Sequence, residues 1–134
     1  MALLDNDVIF AFLNKFDPRF NVADRIFGRI KSGSLKVSIS SVALVEMEFI
    51  YRSEGKEDNL LKDMTALAAI PNTTFEPLTP DVALSAVFLR QTFNLSFFDS
   101  HYAATALKAD GTIMSFDRDY DDVKGLRRID PASV

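Results

Sequence analysis

The 134-residue sequence predicts an α/β fold, a three-layer α/β/α sandwich around a central, mostly parallel sheet of four to five strands. Short apolar runs such as Ala2 to Leu4 and Thr112 to Phe116 alternate with helical patterns of about ten residues or more, the size of crossover that parallel neighbours need. The 48% apolar content, with 12 Phe and only 25% charged residues, is enough to cover such a sheet and argues against disorder. The length matches the commonest size of one domain, roughly 100 to 150 residues, so residues 1–134 are expected to form a single domain.

The elements follow in order. Ala2 to Leu4 reads as a strand running into Asp5-Asn6-Asp7, whose acids suit the positive end of a helix carrying Val8, Ile9, Phe12 and Leu13. After the Asp17-Pro18 turn, Val22, Ile26, Phe27 and Ile30 recur at helical spacing until Ser32-Gly33-Ser34 stops them. A strand at Lys36 to Ile39 leads to a helix capped by Ser40 or Ser41 and continuing to about Tyr51, with its end near Glu54-Gly55. Leu60, Leu61, Met64, Leu67 and Ala68 mark a further helix, and Thr73 to Phe75 a strand. Pro80 is expected at the first position of a helix to about Gln91, and Asp99 at the opening of one to Ala109. Strands at Thr112 to Phe116 and Arg127 to Ile129 complete the chain, with no internal repeat or low-complexity segment.

Composition narrows the chemistry. Zero cysteines remove disulfides, thiolate metal sites and a cysteine nucleophile. No apolar run reaches about 18 residues and no signal-like segment precedes Asp5, so a cytoplasmic protein without a membrane partner is expected. A net charge of -4 supplies no general attraction for nucleic acid, which basic residues usually provide, but clustered acids that hold metal ions would reverse the local charge.

Four acids are candidates for such a cluster: Asp5, Glu46, Asp99 and Asp117. In open parallel sheets ligands bind outside the carboxyl ends of the strands, and Asp5, Asp99 and Asp117 lie just after a strand or at a helix start facing that edge. Each has a plain structural alternative. Asp5 and Asp99 could cap helices, Asp117 could make an Asx-turn, and Glu46 could lie on a solvated helix face. Glu46 stands among apolar neighbours, where an unpaired carboxylate is costly to bury. If the four meet, like charges raise one another's pKa and a counter-cation is required for all to ionise. Oxygen ligands of this kind suit Mg²⁺ or Mn²⁺.

Four stretches, in order and over nearly the whole length, resemble the PIN domains, and among them the small VapC-like toxins of toxin-antitoxin pairs. Leu3-Leu4-Asp5-Asn6-Asp7-Val8-Ile9 resembles the family's opening strand followed by Asp, Thr or Ser, and Asn. Ser40-Ser41-Val42-Ala43-Leu44-Val45-Glu46 is similar to its serine-led helix with an internal acid. Leu95-Ser96-Phe97-Phe98-Asp99-Ser100-His101-Tyr102-Ala103-Ala104-Thr105-Ala106 is similar to its helix opening of aromatic, Asp, small residue and an Ala-rich run. Gly111-Thr112-Ile113-Met114-Ser115-Phe116-Asp117-Arg118-Asp119-Tyr120 is similar to its closing strand and acidic turn. Two positions depart from the pattern: Asn6 stands where a hydroxyl is usual, and Asp7 where Asn is usual, while Ser115 keeps the usual hydroxyl.

The resemblance implies a PIN-like fold and a metal-dependent endoribonuclease that hydrolyses a phosphodiester with an activated water. Asp5 and Asp99 would hold the principal Mg²⁺ or Mn²⁺. Glu46 and Asp117 would hold a second ion or orient waters, and Asp119 is a fifth candidate that capping or solvation explains equally well. Ser115 and Asn6 would support the site as polar neighbours, Ser115 by bonding a water or phosphate. No organic cofactor is expected. The resemblance also implies a homodimer held by a short antitoxin, with RNA as substrate.

Phe10, Phe12, Phe16, Phe49 and Tyr51 are candidate docking residues, with core packing the alternative, and Arg19, Arg90 and Arg118 are candidate phosphate contacts, with solvated surface the alternative. Two other readings are a catalytically silent PIN-like binding module and a haloacid-dehalogenase-like phosphatase with Asp5 as nucleophile. The single histidine, His101, is expected on the last helix rather than in a nucleophilic triad. Asp117-Arg118-Asp119-Tyr120-Asp121 begins like a calcium loop but has Asp122 where Gly is needed and Arg128 where Glu is needed.

Overall fold

A computed structural model describes residues 1–134. Five short strands, β1 (Ala2–Leu4), β2 (Val37–Ser40), β3 (Thr73–Glu76), β4 (Thr112–Met114) and β5 (Arg127–Ile129), lie in the order β3-β2-β1-β4-β5. Every pairing is parallel, in line with the crossover lengths in the sequence. The helices α1 (Asn6–Leu13), α2 (Phe20–Ser32), α3 (Val42–Ser53), α4 (Leu60–Ala68), α5 (Pro80–Phe93) and α6 (Phe97–Lys108) fill the connections.

All residues of β1 and β2 are buried, so their side chains are covered on both sheet faces, as a parallel sheet requires. Leu3, Ile39 and Ile113 from the strands pack with Phe27 and Ile30 of α2 and with Tyr102 and Ala103 of α6 in one apolar cluster. Strand order reverses at β1, whose neighbours β2 and β4 are reached in opposite directions along the sheet, which makes the carboxyl ends of β1 and β4 the switch point at which such sheets bind ligands. No helix is long and apolar enough to cross a membrane.

Local hydrogen bonds move two boundaries from the sequence reading, the start of α6 and the end of β4, and decide between the two expected caps of α3. Helix α6 begins at Phe97, because Ser96 is its cap and accepts the Asp99 N–H at 3.2 Å; Asp99 therefore lies inside the first turn. Ser40 rather than Ser41 serves α3, its Oγ accepting the Val42 N–H at 3.1 Å. Strand β4 stops at Met114, since the Phe116 N–H leaves the sheet for Asp7 Oδ2 at 3.0 Å. The tight α5–α6 corner depends on Asn94, which takes φ 56° and ends α5 in the left-handed region that Asn tolerates. That corner sets the start of α6, and with it Asp99, against the sheet edge.

Candidate active site

Asp5 directly continues β1. Its N–H still donates to Met114 O at 3.0 Å, and its Oδ1 caps α1 by accepting the Asn6 N–H at 2.8 Å. The carboxylate is only 3% exposed. Ser115, at the end of β4, turns its hydroxyl onto Asp5 Oδ2 at 2.7 Å and also lies 3.0 Å from Asp7 Oδ2, while accepting the Asp117 N–H at 2.9 Å. A hydroxyl has one proton to donate. With both carboxylates ionised, one of these two oxygens faces Ser115 without a hydrogen between them, so the group is short of one positive charge.

The electrostatics agree with that deficit. Burial pushes the Asp5 carboxyl well above the usual carboxylate range, and the charges of Asp7 and Asp99 add to it. Asp7 is pushed up to about 6, chiefly by burial, against the opposing pull of Ser115, the Phe116 N–H and the Arg19 guanidinium. Asp99 is likewise raised by burial and by the neighbouring charges of Asp117 and Glu46.

Glu46 joins from α3 through a separate network. Its Oε1 accepts the Tyr102 hydroxyl at 2.7 Å and the Asn6 side-chain amide at 2.9 Å. The same Asn6 amide also reaches Ala43 O at 3.1 Å and the Tyr102 oxygen at 3.2 Å, tying α1, α3 and α6 together. Burial and the Glu46 carboxylate push the Tyr102 hydroxyl upward, so it remains a proton donor at neutral pH. Removing it leaves Glu46 with the Asn6 amide alone. Tyr102→Phe is expected to cost about 1 to 2 kcal/mol in urea denaturation; an unchanged midpoint would detach Tyr102 from this network.

The sequence candidates thus occupy different places. Asp5, Asp99, Glu46 and Asp117 are linked through the mutual influence of their charges, and Asn6 and Ser115 are the connectors between them. The Ser115 hydroxyl, expected to meet water or phosphate, is taken up by the two aspartates. Asp119 is exposed, and its contact with the group is a backbone N–H donated to Asp117 Oδ1 at 2.9 Å. His101 is buried on α6, its Nδ1 2.8 Å from Phe97 O.

Three further residues belong to the pocket. Asp7 was visible only as a departure from a motif, Tyr102 as the residue one helical turn beyond Asp99, and Tyr120 as the aromatic closing the last motif. The Tyr120 hydroxyl is buried beside Asp99, and burial with the charges of Asp5 and Asp99 pushes it upward.

The donor set fits a hard divalent cation. It consists of carboxylate oxygens, it carries surplus negative charge, and Asp7 Oδ1 and Asn6 Oδ1 are buried acceptors without partners. No three of these carboxylates are close enough together to form a coordination set by themselves.

Comparison with known proteins extends these observations. No curated protein matches. Among solved structures, VapBC2 from Rickettsia felis, bound to a DNA fragment from its promoter, superposes with a TM-score of 0.74 at 12% identity over 96% of each chain. VapC20 of Mycobacterium tuberculosis, described as a Sarcin-Ricin loop cleaving toxin, gives 0.73 at 19% identity over 90% of this chain and 93% of that one. A toxin-antitoxin complex from Klebsiella pneumoniae gives 0.68 at 19% identity over 98% of each. These likenesses establish a shared PIN-like α/β architecture. The family model described as "PIN domain" matches residues 2–126, and the chain therefore belongs to the PIN domain family.

Proposed function

We propose that residues 1–134 are a single PIN-like nuclease domain that acts as a Mg²⁺- or Mn²⁺-dependent endoribonuclease in the cytoplasm, as the toxin of a toxin-antitoxin pair. The observation that carries this reading is the pair of aspartates around Ser115, with Asp99 close enough to raise the Asp5 pKa. A buried acidic group of this kind needs a cation, and a cation at a sheet edge is a site for a phosphodiester.

In this reading Asp5 and Asp99 bind the principal ion, and Asp117 and Glu46 orient waters or a second ion, with Asp119 available from the rim. When bound, Mg²⁺ or Mn²⁺ polarises a phosphate oxygen and lowers the pKa of a water. Asn6 and Tyr102 hold Glu46 at a fixed angle, and Ser115 fixes Asp5 and Asp7 to the end of β4. The printed descriptions of the neighbours, two of them complexes of a toxin with its antitoxin, support a cognate antitoxin for this chain, with a homodimer as the assembly it holds.

The test is cleavage of structured RNAs by the purified protein under Mg²⁺ or Mn²⁺ titration, with and without chelator. Cleavage is expected to vanish with excess EDTA and return with Mg²⁺. Cleavage undiminished by chelator would overturn the metal-dependent reading, and hydrolysis of a simple phosphomonoester would favour the phosphatase.

A further inference from the structure

The largest groove of the molecule lies between α5, α6 and the turn before β5, and no carboxylate of the candidate active site lines it. Its volume is about 590 Å³, within the range of small-molecule sites. Asp81, Ser85, Phe88 and Thr92 recur at helical spacing, so a single stripe of α5 makes one wall. Buried Val82, Leu89 and Ala104 make the floor. Phe88, 63% exposed, borders the groove instead of filling the core.

Charge is confined to one end. Asp81 lies in the first turn of α5 and Lys108 closes α6, with Lys108 Nζ 3.8 Å from Asp81 Oδ2, so the two helices run antiparallel along the groove. Lys124 joins this end, because a Cβ on the adjacent Gly125 would fall 3.6 Å from Leu107 Cδ2. None of the six ion pairs of the molecule includes Lys124. Two ammonium groups and one carboxylate therefore leave one positive charge unanswered, in a chain of net charge -4. The opposite end is apolar: Phe93 lines it, and the Thr92 hydroxyl is spent on Phe88 O of its own helix at 2.8 Å.

The dimensions select the occupant. At 1.5 Å per residue the stripe from Asp81 to Phe93 is about 18 Å long. Spread over that length, 590 Å³ leaves a cross-section on the order of 30 Å², about a third of that of an α-helix roughly 10 to 12 Å wide. One alkyl chain fits, and a partner's helix does not. The single surplus charge matches a monoanionic head.

We propose that this groove binds a long-chain carboxylate of roughly a dozen carbons, its chain along Val82, Leu89 and Ala104 and its head between Lys108 and Lys124. The inference is independent of the nuclease reading.

Isothermal titration of the whole chain with sodium decanoate and dodecanoate, each below its micelle concentration, tests it. One saturable site is expected, with dodecanoate tighter by about 5- to 15-fold for two more buried methylenes. Lys108→Gln combined with Lys124→Gln should weaken decanoate by about 3- to 20-fold and leave the uncharged 1-decanol unchanged. Ser85→Trp, which places a ring in the groove from an exposed position, should abolish binding of both while the far-UV circular dichroism stays native. No saturable heat with either carboxylate in the wild type would overturn the proposal. So would dodecyltrimethylammonium binding as tightly as dodecanoate, or a folded Ser85→Trp that keeps wild-type affinity. A wild type that ignores dodecanoate and sediments as a dimer, with Phe88→Ser a monomer, would assign the groove to a second copy of this chain and overturn the proposal.

Discussion

Cleavage of RNA is expected to fall by at least about 100-fold in Asp99→Asn, measured at saturating Mg²⁺, while the protein stays folded. Asparagine keeps the size of Asp99 and an oxygen acceptor, so the first turn of α6, fixed by the Ser96 cap, is unaffected. It removes the one property the site requires of Asp99, a negative charge that adds to the burial of Asp5. Because burial and like charges already raise Asp99, the metal-free protein should lose nothing in thermal stability and can gain. Loss of activity with an unchanged or higher Tm separates a ligand from a structural acid. Full activity in Asp99→Asn would sink the assignment, and a collapsed Tm would return Asp99 to a capping role.

The second large effect is a pH dependence of stability opposite to that of salt-bridged carboxylates. Asp7 titrates at about 6 in the folded protein and near 3.8 when free, so the folded state binds the extra proton between those values. Its contribution is therefore greatest at low pH, declines as pH rises through the window from about 4 to 6, and is gone above it. One group displaced this far corresponds to on the order of 2 to 3 kcal/mol, and Asp5 and Asp99 are displaced in the same direction. In EDTA, urea denaturation should give lower stability at pH 7.5 than at pH 5. Added Mg²⁺ should restore stability at pH 7.5 and do much less at pH 5, where protons occupy the same carboxylates. Asp7→Asn, which retains acceptors for Ser115 and the Phe116 N–H, should flatten the EDTA profile. A metal-free protein that is more stable at pH 7.5 than at pH 5 would contradict the charge surplus.

The sequence carried the fold at the level of period and punctuation. Strand and helix patterns with Gly stops placed all five strands and six helices, because each depends on local spacing and apolar faces. Asp5 and Asp117 were legible as acids after strands, since the carboxyl edge of a parallel sheet is a property of topology. Glu46 was legible only through its motif: what brings it to the site is Asn6, 40 residues away, and Tyr102, 56 residues away, and no spacing along α3 encodes either. Asp7 was read as an oddity for the same reason. Its neighbours are Ser115 and Phe116, more than 100 residues on, and only the pairing of β1 with β4 makes them neighbours. Ser96 outranked Asp99 as the cap of α6 because its hydroxyl sits three residues before a free N–H, a position that Asp99, already inside the helix, cannot take.

The pairing of β1 with β4 also governs when the site exists. Asp5 and Ser115 are separated by 110 residues, and at a synthesis rate of about 5 to 20 residues per second the first waits roughly 5 to 20 s for the second to emerge from the ribosome. During that interval the central strand has β2 on one side and nothing on the other, and Asp5 and Asp7 remain hydrated carboxylates with ordinary acidity. The acidic group is thus assembled only after β4 has emerged. An incomplete chain, or one in which β4 has detached, has every early acid in place and no site.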